Sequence, residues 1–143
     1  MVLKMKDREN NDFEKGELYA NYLGHFYTNL KVLAEDAEKQ CEVMDNFNVA
    51  WELRDDATRD ASAVLNLAGE QISEEQRAGI ERLLADVAAV PDSVVNVPRG
   101  SAKEEHLRAM NNPAWDQVRL DAKELISLLG PELKRVKDVW GWS

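Results

Sequence analysis

An apolar stripe of helical period constrains this chain more than any other feature. Tyr19, Leu23, Phe26, Leu30, Leu33, Ala37 and Cys41 recur at steps of four and three, with a last step of four. That spacing sets one side chain per turn on a single helix face, and such a face must be buried against a neighbour. Ala20, Tyr27, Ala34 and Cys41 widen the stripe at intervals of seven. The pattern predicts a helix over about residues 12–43, with Asp12 as N-cap and residues 1–11 as a mobile tail. At the rise of an α-helix it would be ~45 Å long.

The rest of the chain punctuates itself in the same language. Asp45-Asn46-Phe47-Asn48 carries turn formers but neither Gly nor Pro, so a helical hairpin and one continuous helix both remain open. Val49, Leu53, Ala57, Ala61, Val64 and Ala68 predict a helix over about 49–69, closed by Gly69. Ser73 and Gln76 form a capping box, opening a helix that Pro91 ends near residue 90. Residues 91–100 read as an extended strap, because Val94, Val95 and Val97 have no second strand to pair with. Ser101 and Glu104 predict a second capping box and a short helix to about residue 111. Asn112-Pro113 opens the last stretch, with Trp115, Val118, Ala122, Leu125, Ile126 and Leu129 inward. Gly130-Pro131 is expected to interrupt it before a final helix at about 131–140, carrying Leu133, Val136 and Trp140. The expected fold is all-α: one domain over residues 1–143, a bundle of five to six helices with a long N-terminal helix or helical hairpin.

Composition then limits function. Of 143 residues, 18 are Lys or Arg and 27 are Asp or Glu, a net charge of −9. This opposes direct nucleic-acid binding and attachment to an anionic membrane, both of which need basic surface. A single cysteine, Cys41, cannot form an intramolecular disulfide, and no apolar run is long enough for a signal peptide or a membrane span. A cytoplasmic protein is expected.

No known catalytic spacing is present. His25 is preceded three residues earlier by Tyr22 and His106 by Lys103, so neither makes the Glu-x-x-His of a carboxylate-bridged metal bundle. Zinc, calcium, haem and phosphate-loop motifs are absent. Cys41 with His25 or His106 supplies the residue types of a nucleophile and base without any spacing that joins them. A non-enzymatic protein without cofactor or metal is therefore expected.

Two features rise above this background. From Glu35 to Asp60 nine acids face three basic residues. Glu35, Glu38 and Glu42 share a face opposite Leu30, Leu33 and Ala37, and a hairpin about Asp45 would bring Glu52, Asp55 and Asp56 to the same end. Such a surface suits a basic protein partner, with an inhibitor or immunity-type factor against a basic toxin or nuclease as one form. Against that stands an ordinary solvated face laced by Glu35–Lys39 and Asp55–Arg59 pairs. The second feature is aromatic: Trp142 and Trp51 beside the acids are candidate apolar anchors, against which stand Trp142 folding back over the bundle end and Trp51 plugging the hairpin end. Two alternatives use other residues. The stripe of the first helix could form a seam with a second copy, giving a homodimeric regulatory or structural subunit. Tyr19, Tyr22, His25 and Tyr27 could line a small-ligand pocket.

Overall fold

The apolar stripe is buried, but not along one unbroken helix. The computed structural model describes residues 2–142, with side chains from Asp12 onward. Helix α1 (Val2–Leu33) packs against α3 (Val49–Ala68) and α7 (Ala114–Trp140), and α4 (Glu74–Ala88) closes the ring by packing on both α3 and α7. Leu23, Phe26, Leu30 and Leu33 of α1 are wholly buried with Val64, Leu83, Val87, Trp115, Val118 and Leu129 of the other three. The stripe proposed as a seam for a second copy is thus spent on the chain's own core. Three shorter helices, α2 (Ala37–Val43), α5 (Asp92–Val95) and α6 (Lys103–Met110), lie toward the end where α1 finishes, with α2 against α6.

Among the described residues there are seven α-helices, a single 3₁₀ turn at Gly69–Gln71 and no strand. The difference from five or six has three sources. The first expected helix begins at Val2, not at Asp12, and breaks at Ala34–Asp36. The strap at 91–100 contains one helical turn. The expected interruption at Gly130-Pro131 does not occur, because α7 runs through it. Pro131 is exposed there, so water can serve the carbonyl that loses its helical N–H partner.

The break after α1 was hidden by periodicity. Ala37 and Cys41 stay in register with the stripe, yet they are buried because α2 turns across the end of the bundle. Asp36 caps α2 by accepting the Lys39 N–H at 2.8 Å. Gln40, fully buried, donates to the last carbonyls of α1, Leu33 at 3.0 Å and Val32 at 3.2 Å. Arg119 of α7 locks the corner: it donates to the Glu35 carbonyl at 3.1 Å, to Gln40 Oε1 at 2.8 Å, and to the Met110 carbonyl at the end of α6.

Other caps are legible. Ser73 and Gln76 make the expected capping box, at 2.8 and 3.0 Å. The expected second box does not form: the N-cap is Ala102, one residue later, whose methyl cannot accept, so only Glu105 acts, accepting the Ala102 N–H at 2.8 Å, while Ser101 Oγ donates to the Pro98 carbonyl.

Replacing Arg119 by Met leaves Gln40 Oε1 and two carbonyls short of donors. Urea denaturation should show a loss of about 1–3 kcal/mol, since two part-buried acceptors are stranded. A loss below about 0.5 kcal/mol, the range of ordinary surface changes, would show that the corner holds without it.

Candidate functional site

The α2–α3 turn is built from residues that tolerate left-handed backbone. Asp45, Asn46 and Asn48 have φ of 55°, 54° and 44°, a region that Asp and Asn enter more readily than other side chains. Three of its amides are bonded: Asp45 N–H donates to the Glu42 carbonyl at 3.1 Å, Asn46 N–H to Cys41 at 2.9 Å and Phe47 N–H to Met44 at 3.2 Å, whereas the buried Asn46 Oδ1 has no partner. This bonded turn holds Phe47 outward with 69% of its surface exposed. Val43 (50%) and Trp51 (42%) flank it in sequence. Eight large apolar side chains are exposed among the described residues, and these three fall within nine residues of one another.

The acids share this end of the molecule. Glu35 lies in the corner between α1 and α2, not on a continuous helix face as the periodicity implied. Glu38 and Glu42 are on the exposed side of α2, and Asp45 is exposed in the turn. Glu52, Asp55 and Asp56 lie on the first turns of α3. Part of this charge is neutralised internally. Arg59 pairs with Asp56 at 2.9 Å, Asp60 at 3.4 Å and Asp55 at 3.8 Å. Lys39 pairs with Glu42 at 3.6 Å, in place of the expected Glu35. Among the described residues, Glu35, Glu38, Asp45 and Glu52 have no cation within 4.0 Å.

Trp142 does not belong to this surface. Gly141, at φ 67°, ends α7, and the Trp142 N–H returns to the Lys137 carbonyl at 2.8 Å. That folds the indole back beside α1 and α7, at the end of the bundle away from the α2–α3 turn. Trp51 and Trp142 therefore cannot anchor one contact.

The residues suggested for nucleophilic or ligand chemistry do not converge. Cys41 is buried, and burial pushes its thiol up, the opposite of activation. Tyr19 is buried, and its hydroxyl donates to Glu132, whose carboxylate also takes two bonds from Arg135 at 2.6 and 2.9 Å. Burial and that carboxylate hold Tyr19 protonated. Tyr22 faces a hollow on the α1–α3 side with Arg59 and Asp60, whereas Tyr27 faces the α1–α7 side. His25 lies exposed between them. Among the described residues no group of three His, Cys, Asp or Glu is placed to hold a metal ion, and no helix is long and apolar enough to cross a membrane.

A carboxylate pair between α4 and α7 was not visible in the sequence. Asp86 faces Asp121, which is buried and accepts from Gln117 at 3.0 Å. The hydrogen bond to Asp121 raises Asp86 to about 6, helped by burial and by the Asp121 charge, and opposed by Arg82. Asp121 Oδ2 is buried with no hydrogen-bond partner, and a proton on Asp86 would supply one.

Compared with protein-family models, curated proteins and solved structures, the chain matches none of them.

The Asp86 proton is held more tightly in the folded chain than in the unfolded one. The stability it contributes is complete in acid, below the ordinary carboxylate range, and is lost as pH rises through about 6. Asp86→Asn keeps a donor toward Asp121 without the charge. Its Tm relative to the parent should rise between pH 4.5 and 7.5; parallel pH profiles would show that the carboxyls are independent.

Proposed function

We propose that this protein works by binding another protein, through the end of the bundle formed by α2, the α2–α3 turn and the start of α3. One observation carries the reading: Phe47 stands exposed on a turn held by three backbone bonds, with Val43 and Trp51 near it in sequence and with acids that lack cation partners. Exposed aromatic residues on a preorganised element bind at low entropic cost. Acids around them favour a partner segment that is basic and carries an apolar side chain, by raising the association rate and penalising acidic competitors. Glu35, Glu38, Asp45 and Glu52 supply the charge. Glu42, paired with Lys39, and Asp55 and Asp56, paired with Arg59, contribute less, and Trp51 with Phe47 forms the apolar anchor.

In its most concrete form this is an inhibitor that covers the basic substrate surface of a toxin or nuclease. That action needs no chemistry from the chain itself. A cytoplasmic setting accords with the single, buried thiol of Cys41.

The test compares the native chain with the triple variant Glu38→Lys, Glu42→Lys, Phe47→Ser as immobilised baits in lysate of the source cells at low salt. All three side chains are exposed, so the helical circular dichroism should not change. The expected result is a basic protein retained by the native bait, released by moderate salt, and bound at least about a hundredfold more weakly by the variant. Retention of the same proteins with equal affinity by both baits would refute the assignment.

A further inference from the structure

The flank between α1 and α7 has an unusual floor. Gly24 and Gly130 lie in the interiors of their helices, where glycine is the least favourable residue apart from proline. Close packing does not explain them. A Cβ built at Gly24 meets nothing within 4 Å, and one at Gly130 meets only the Tyr27 hydroxyl, at 3.8 Å. With no side chain at either position, an open groove of about 810 Å³ runs between α1 and α7.

The chemistry of its walls runs against that of the chain. The sequence has 27 acids, yet none lines this groove among the described residues. Lys31 of α1 and Lys134 and Lys137 of α7 line it instead, together with His25. Among the described residues none of these lysines has a carboxylate within 4.0 Å. Like charges along one groove favour a bound anion, and ammonium groups bind phosphate oxygens as point charges. Aromatic rings stand at both ends. Trp142 is at one, and Tyr27, with Lys31 Nζ 5.2 Å from its ring centre, is at the other. The α1 wall, from residue 21 to residue 31, spans only about 15 Å at the helical rise. That suits a small molecule better than a polymer strand.

We propose that the α1–α7 groove binds a small polyphosphate ester bearing a planar ring, the chemical class of a nucleoside triphosphate, with the lysines on the phosphates and Trp142 against the ring. The site shares no residue with the docking end and does not rest on that reading.

Calorimetric titration of the full chain with ATP, and separately with inorganic tripolyphosphate, tests it. ATP should bind with one-to-one stoichiometry, more weakly as salt rises. Gly24→Leu should fill the groove and weaken ATP by more than tenfold without lowering Tm, because leucine is the better helix former and the space is open. Lys134→Glu with Lys137→Glu, on a wall that folding does not depend on, should weaken both probes by at least about tenfold per charge. Trp142→Ala should weaken ATP several-fold and leave tripolyphosphate unchanged. Absence of saturable ATP binding at low salt, or binding indifferent to both Gly24→Leu and the charge reversal, overturns the site. Tripolyphosphate binding as tightly as ATP, with Trp142→Ala silent, overturns the ring-bearing ligand in favour of bare phosphate.

Discussion

The guanidinium of Arg119 is the interaction on which the arrangement of the chain depends. It reaches from α7 to the corner after α1, to the Gln40 side chain and to the end of α6. Gln40 in turn closes the last carbonyls of α1. A helix end buried without partners would strand several carbonyls; at the break of Ala34–Asp36 the Ala34 and Glu35 amides take those of Leu30 and Val32, and the two side chains take those of Leu33 and Glu35. Everything beyond the break follows from that corner. It turns α2 across the bundle, seats it on α6 and determines where the α2–α3 turn emerges.

Along the bundle, buried polar pairs do the work that apolar stripes cannot do alone. Leucine and valine faces pack in more than one register at similar cost, whereas a buried donor and acceptor match in only one. Tyr19 and Arg135 on Glu132, Asn29 on Asp60 at 2.6 Å, and Gln76 on the Leu128 carbonyl at 2.9 Å tie α1 to α7, α1 to α3 and α4 to α7. Asp86 and Asp121 add a second link between α4 and α7 that is conditional on a proton.

The fold also sorts charge. The acids of α2 and α3 collect at one end beside exposed aromatic surface, while lysines from α1 and α7, about a hundred positions apart in sequence, meet along one flank over two glycines. A net charge of −9 describes neither region. The whole-chain balance argued against anionic partners, and the groove shows how local composition can reverse it.

The sequence by itself determined the helical class, most of the core and, at Ser73, the start of a helix. Tyr19 to Cys41 are buried as their spacing demanded, and the Ser73–Gln76 box forms as written, because both depend on neighbours within a few residues. Tertiary structure decided where that period is broken and where it is not. Ala37 keeps the stripe's register across a corner, and α7 carries Pro131 because its exposed side can be solvated. It also decided which side chains share a surface. Trp51 and Trp142 looked interchangeable as anchors and lie at opposite ends, while Phe47, which read as part of a turn, is the most exposed aromatic of the acidic end. The physical reason is the same throughout. Caps and periodicity are local and are written in consecutive residues, but a corner, an ion pair across helices or a groove between them needs partners that only folding brings together.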